Sequence, residues 1–316
     1  MWWFALKRIA TLVPILLVVS IATFGLILAV PGDPAARIAG PNATDQQLEL
    51  IRTQLGLNDP VYLQYLHWLS GAVRGDLGNS LLFMRPVTQL VAERLPVTVA
   101  LAVAALLIGT IGGVVLGAIA ASNRGRWADR LTMFISSAGI ATPNYWLALL
   151  LILLFSLTLH WLPIGQYVPF AKDPLGWAEH LILPGLALGA AFGAETARQV
   201  RSAVVEVRDL PYVTTAKAQG LRRRVLMGKY VAKNAAIPVV TVLGLQFTRI
   251  LGGAVLIEQI FGLPGLGSLV VTAVFAQDMP LIQGIILMTV IVAVVINMLV
   301  DLSYAWLNPK VRSQWS

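Results

Sequence analysis

Few residues in this sequence are equipped for chemistry, and their positions narrow what that chemistry can be. Cysteine is absent from the 316 residues, which removes disulfides, thiol catalysis and thiolate metal sites together. The three histidines, His67, His160 and His180, are scattered and form no ligand cluster. No nucleophile–base constellation stands out, and there is no G-x-x-x-x-G-K-S/T loop for a nucleotide. Gly262-Leu-Pro-Gly-Leu-Gly267 is glycine-rich, but it follows an apolar run and reads as a re-entrant turn outside the cell, away from ATP. No catalytic, cofactor or metal residue is therefore expected. What remains is charge inside apolar sequence, which is costly in lipid and normally faces a cavity or a partner. Arg249 lies twelve residues past Ile237, about 18 Å along a helix that rises about 1.5 Å per residue. Glu258 is nine residues further and falls on the opposite face, so the two cannot neutralise each other within one helix. Arg249 then needs pore water, a neighbouring helix, a second subunit or a substrate carboxylate. Arg249 and Glu258 are the candidates for a translocation path. Glu195 and Arg198, at i and i+3, are expected to pair locally.

The elements that position these charges follow from composition. Hydrophobic residues make up 57% of the chain and charged ones 12%. Soluble domains carry roughly 25% charged residues. Most of this chain must therefore face lipid or other apolar helices. A helix needs about 20 mostly apolar residues to cross the hydrocarbon core. Six runs qualify: Ile9–Val30, Val97–Ala121, Leu131–Leu157, Leu181–Val204, Ile237–Ile257 and Leu281–Leu302. The first is longer than the apolar core of a signal peptide and no A-x-A site follows it, so it is read as a helix. Sixteen of the 23 basic residues fall on one side of the resulting topology, with both termini on that side. By the positive-inside rule this side is cytoplasmic. The net charge of +8 is thus a topology signal that calls for a lipid bilayer and no nucleic acid.

The chain divides on this basis into a stub with the first helix (residues 1–30), an extracytoplasmic helical segment (31–94) and a core (95–316) with a cytoplasmic loop at 205–236. In the outer segment Thr44-Asp45-Gln46-Gln47 has the form of a capping box and Gly56 sits where a C′ glycine belongs. Asp59-Pro60 opens a second helix through Trp68, and Arg85-Pro86 a third. Gly109, Gly113 and Gly117 repeat every four residues, as do Gly185, Gly189 and Gly193; each set lines one helix face, where backbones can approach closely. In the cytoplasmic loop, Tyr212–Gln219 forms a short helix after Pro211, Gly220 terminates it, and Arg222–Arg224 start a basic helix back to the membrane.

Tyr212-Val-Thr-Thr-Ala-Lys-Ala-Gln-Gly-Leu resembles the coupling-loop motif of ABC importer permeases of the dipeptide/oligopeptide branch. The likeness extends along the chain. It takes in Leu-Ala-Val-Pro-Gly-Asp-Pro at 28–34, Tyr65-Leu-His-Trp-Leu, Arg74-Gly-Asp-Leu-Gly-Asn-Ser and Glu93-Arg-Leu-Pro. It continues through Asn234-Ala-Ala-Ile-Pro, Phe261-Gly-Leu-Pro-Gly-Leu-Gly and Asn297-Met-Leu-Val-Asp301-Leu-Ser-Tyr. Length and the large first outer segment match the B-type subunit. Thr214-Thr215-Ala216 stands where importers in general carry Glu-Ala-Ala, a departure usual in the peptide branch.

The resemblance implies an all-α membrane protein with six transmembrane helices and a type I, MetI-like permease core, in a prokaryotic cytoplasmic membrane. It implies half of a translocation pathway, completed by a second homologous permease subunit. Two ATP-binding-cassette ATPase subunits would bind the ATP and Mg that this chain does not, and an extracytoplasmic peptide-binding protein would deliver substrate. Tyr212, Thr215, Ala216, Ala218, Gly220 and Leu221 would dock the ATPase, with one of the two alanines buried in its socket. Dipeptides, oligopeptides, glutathione-like peptides and nickel chelates all use such permeases. The rival class, a self-sufficient secondary carrier, is marked by inverted repeats and midplane carboxylates, and neither is visible here. The topology is testable because the chain is cysteine-free. A cysteine at Thr44 is expected to label with an impermeant thiol reagent from outside intact cells, and one at Asn123 is not; the reverse pattern would invert the orientation.

Overall fold

A computed structural model describes residues 13–25, 34–39, 43–54 and 56–307. The outer parts of the expected first span and both termini lie outside the described residues. Among the described residues the regular elements are all helices, joined by turns and loops, with one isolated bridge between Asn79 and Pro86. The described residues fall into two compact units, drawn from Met1–Leu95 with Leu269–Val294, and from Pro96–Ser268 with Val295–Ser316.

In the first unit, α1 (Val13–Gly25) meets α4 (Val61–Val73) through a hydrogen bond of 2.8 Å between Ser20 and Tyr65 and an edge-on contact of Phe24 with Tyr65. Between them lie the short α2 (Pro34–Ala39) and α3 (Asp45–Gln54). The capping box forms reciprocally: Gln47 N–H donates to Thr44 Oγ1 and Thr44 N–H to Gln47 Oε1. Gly56 adopts φ +64° just beyond the helix. After α4 the chain turns through residues 74–86 into α5 (Val87–Ser122). Arg85-Pro86 thus opens no separate third helix; it starts the long helix that runs on through Pro96 as the second apolar run. Asp278, buried between α12 (Leu266–Phe275) and α13 (Met279–Leu307), accepts from Ser80 Oγ at 2.5 Å and from Leu82 N–H at 3.0 Å. It thereby ties residues 80–82 to the α12–α13 turn.

The second unit is organised around α8 (Pro174–Arg208), whose N-terminus is capped by Asp173 with Pro174 in the first turn. The two glycine ladders meet face to face. A Cβ on Gly109 would stand 2.7 Å from the Gly189 carbonyl oxygen, one on Gly113 2.5 Å from that of Gly193, and one on Gly117 2.6 Å from that of Ala197. These separations leave no room for any side chain, so helix α5 lies backbone-to-backbone on α8.

The third apolar run is not one straight span. Thr142 precedes a proline, which disfavours helical backbone; it is extended at ψ 124°, and the run splits into α6 (Trp127–Ala141) and α7 (Asn144–Leu151). The α7 helix continues as a π-helix over Ile152–Thr158, and the two halves are bent by 108°. The fifth run lies within α11 (Lys233–Phe261). Gly262, at φ +63°, ends it, and the Arg249–Phe261 half is bent by 78° from α12. Among the described residues three helices are long and apolar enough to cross a membrane, Val87–Ser122, Pro174–Arg208 and Met279–Met298; counting each bent pair as one span gives up to five.

The ladder contact generates a prediction. Gly113→Val must push α5 off α8, and overpacking of this kind costs about 1–3 kcal/mol. Gly112, with nothing within 4 Å of its Cβ position, is the matched control. Gly113→Val is expected to lower the detergent unfolding midpoint clearly more than Gly112→Val; equal midpoints would mean that the helices separate without loss.

Candidate functional site

Two groups of residues in the second unit are candidates for contact with other molecules. The first is the cytoplasmic-loop helix α9 (Pro211–Ala218). Pro211 occupies its first turn, where no amide hydrogen is needed. Its end is a Schellman closure: Gly220 N–H donates to Lys217 O at 3.1 Å and Leu221 N–H to Ala216 O at 3.4 Å, with Gly220 left-handed at φ +78°. No atom lies within 4 Å of a Cβ built on Gly220, so the requirement for glycine there is conformational only.

The helix has an inward and an outward side. Val213 and Ala216 are buried, and Val213 packs with Val204, Val231 and Ala235. Of the two alanines expected at a socket, Ala216 is 5% exposed and covered by its own chain. Tyr212, Thr215 and Ala218 are exposed and Leu221 half-buried. Asn234 Nδ2 donates to the Tyr212 hydroxyl at 2.9 Å and to Tyr230 O at 2.9 Å, fixing the tyrosine against the π-helical segment Leu226–Ala232. That segment follows α10 (Arg223–Val225) and leads directly into α11.

Polar ties anchor the base of this helix. Arg201 holds Asp129 bidentately, Nε to Oδ1 at 2.5 Å and Nη2 to Oδ2 at 2.8 Å. Gly125 N–H adds a third bond to the same carboxylate at 2.9 Å. Arg124 pairs with Asp209 at 2.9 Å, and Arg208 donates to Ala121 O at 3.0 Å. The α5–α6 turn is thus fastened to the end of α8, two residues before α9 begins.

The second group surrounds a cavity of about 900 Å³ between α6, α7, α8 and α11. Arg249 and Glu195 both line it, 3.5 Å apart, and Gln246 donates to the Glu195 carboxylate. Arg249 therefore faces a cavity and takes a neighbouring helix as partner. The expected local pair of Glu195 with Arg198 gives way to these contacts across α11; Arg198 lines the same cavity. Sequence spacing alone could not reveal this, because Glu195 and Arg249 are brought together only by the packing of α8 on α11.

Glu258 is elsewhere and differently employed. It is fully buried, accepting from Thr98 Oγ1 at 2.6 Å and from Ser268 N–H at 2.9 Å, while Leu266 N–H donates to Thr98 Oγ1 at 2.8 Å. A Cβ on Gly267 would stand 2.9 Å from its Oε2 and one on Gly265 would collide with the carboxylate. Gly265 and Gly267 therefore make room for a carboxylate that holds the α11–α12 turn. Glu258 and Arg249 thus stand in different surroundings, the one enclosed at this turn and the other at the cavity. Among the described residues no group of three or more potential ligands is placed to hold a metal ion.

The model of the binding-protein-dependent transport system inner membrane component matches residues 113–313, and the N-terminal model of the same membrane components matches residues 1–102. The chain belongs to this family, the permease subunits of ABC importers. Among curated relatives, a Brucella abortus protein carrying the name of a peptide transport system permease is 43% identical over 307 residues, covering 97% of this chain and 98% of the relative. The glutathione transport system permease protein of Escherichia coli is 43% identical over 309 residues, 98% of each chain. A solved structure of the MetNI methionine ABC transporter in an inward-facing conformation shares the fold, with a TM-score of 0.55 and 15% identity over 70% of this chain and 97% of that one.

The Asp129–Arg201 pair carries a prediction for this permease. Asp129→Asn leaves the partly exposed Arg201 short of its countercharge, and losing charge-assisted hydrogen bonds of this kind costs about 1.5–3 kcal/mol. A double-mutant cycle with Arg201→Met, read by chemical unfolding in detergent, should show strong coupling. Additive single effects would show that the pair contributes nothing.

Proposed function

We propose that this permease is one of two homologous membrane subunits of an importer for peptides, spanning the cytoplasmic membrane of a prokaryote six times with both termini in the cytosol. A peptide-binding protein delivers substrate from outside, and two separate ATPase subunits bind ATP and Mg and drive the permease pair between outward- and inward-facing states. The substrate class rests on relatives. One is named for peptide transport and another for glutathione, itself a tripeptide, each over nearly the full length of both chains.

The observation that carries the coupling role is the two-sided character of α9. Its Val213–Ala216 side is buried within the permease, whereas Tyr212, Thr215 and Ala218 are exposed, with Lys217 the one charged side chain of the helix. A helix held so by its own chain transmits a push from a docked ATPase instead of yielding to it. The ties of Asp129, Arg124 and Arg208 extend that connection to the α5–α6 turn. Ala218 replaces Ala216 as the alanine for an ATPase socket, because it is the exposed one of the two.

Two substitutions test the docking assignment. Gly220→Val forces a β-branched residue into the left-handed region, a local cost of about 1–2 kcal/mol; Gly220→Asn, which tolerates that region, is the control. Ala218→Trp adds bulk on the outer face without touching the core. Both Gly220→Val and Ala218→Trp should leave the permease inserted, reduce ATPase retained on the purified permease pair and uncouple hydrolysis from uptake in proteoliposomes. Full retention with coupled transport in both variants would sink the assignment.

A further inference from the structure

The cavity between α6, α7, α8 and α11 holds two ion-paired arginines of different kinds. Arg201 is locked: it grips the nearly buried Asp129 with two parallel hydrogen bonds, and its own side chain is 30% exposed. Arg249 is not. It meets Glu195 through one contact at 3.5 Å, with 71% of the arginine side chain and 46% of the glutamate exposed. An ion pair so open contributes little to stability and exchanges readily with another charged group. Yet one of its members is carefully placed, because the Glu195 carboxylate accepts from Gln246, a residue 4% exposed on α11. Arg198 lines the same cavity, and among the described residues it has no carboxylate partner. With Asp129 matched to Arg201 and Glu195 to Arg249, one positive charge is left over.

We propose that this cavity is a subsite for the charged ends of a zwitterionic peptide inside the membrane part of the permease. The α-carboxylate is taken by Arg249, helped by Arg198, and the α-ammonium by Glu195. The inference rests on the peptide-import reading and specifies where, in this chain, the peptide termini are met. A planar guanidinium matches a carboxylate with two parallel hydrogen bonds, which the single Glu195 contact does not use. The ligand opens one loose internal pair and forms two external ones, so Glu195 and Arg249 each keep a countercharge before and after binding. A volume of about 900 Å³ lies within the range of small-molecule sites, and Asn144, Gln199 and Ser202 supply neutral polar groups on its wall. A peptide with a blocked terminus has only one of the two charges this site distinguishes.

The absence of natural cysteine makes the site directly readable. Ser202→Cys places one thiol on the cavity wall of the complete importer, and its labelling rate by a maleimide is followed on this subunit after gel separation. The probes are dialanine, trialanine and S-methylglutathione, whichever the same preparation imports, each against its C-terminal amide and its N-acetyl form. The free peptide is expected to slow labelling several-fold, and the blocked forms much less. Arg249→Met and Glu195→Gln should each abolish the protection, and Arg249→Lys should restore part of it. Labelling unaffected by an imported peptide, or equal protection by free and blocked forms, overturns the subsite while leaving peptide import intact. Loss of the second permease subunit from Arg249→Met complexes, with Arg249→Lys restoring assembly but not selective protection, also overturns it by making the arginine an interface residue. Import of none of the probes, with a non-peptide substrate transported instead, defeats the peptide reading itself, and the subsite falls with it.

Discussion

Helix α8 can serve as the axis of the second unit because its backbone and that of α5 touch. Gly109, Gly113 and Gly117 on one helix and Gly189, Gly193 and Ala197 on the other remove the side chains that normally hold helices apart. In lipid no hydrophobic force drives two apolar helices together, and close packing has to take its place. With one flank of α8 occupied this way, its other faces are free to hold α6, α7 and α11. Glu195, Arg201 and Arg208 all project from this one helix, so their partners on α6, α11 and α5 are set by how those helices seat against it.

The charged groups then separate into permanent and available ones. Glu258 and Asp129 are buried and multiply hydrogen-bonded, one holding the α11–α12 turn and the other the α5–α6 turn. Removing their hydrogen-bond partners would leave a carboxylate stranded in apolar surroundings, which is why each collects several. Glu195 and Arg249 are open to a cavity, and their contact is single and loose. The acidic residues of this apolar chain thus differ in how completely each is satisfied from within. The same division holds in the cytoplasmic loop. The Val213–Ala216 side of α9 is buried in the permease, and Tyr212, Thr215 and Ala218 are exposed.

Local signals in the sequence translated almost directly into structure. The capping box at Thr44–Gln47, the left-handed Gly220 after a short helix opened by Pro211, and the glycine ladders each depend on residues a few positions apart. Where a local signal was outweighed by apolar length, the sequence misled. Thr142-Pro143 sits inside the run Leu131–Leu157, and the extended backbone it demands breaks that run into two helices bent by 108°. Arg85-Pro86 marked a helix start correctly, but whether that helix would stop before Val97 depended on Pro96 being accommodated within it.

By itself, then, the sequence determined the helical class, the loop that bears α9 and the exclusion of thiol chemistry, since each is fixed by composition or by neighbours along the chain; the family followed from the resemblance its motifs carry. Only the tertiary structure decided which charge meets which. Glu195 has Arg198 one turn away and meets Arg249 instead, 54 positions on; Arg201 reaches back 72 positions to Asp129. Glu258 turned inward to a threonine 160 positions earlier. In an apolar medium an ionised side chain must be satisfied by whatever polar group the packing brings closest, and helix packing, unlike helix formation, is not encoded in spacing along one element.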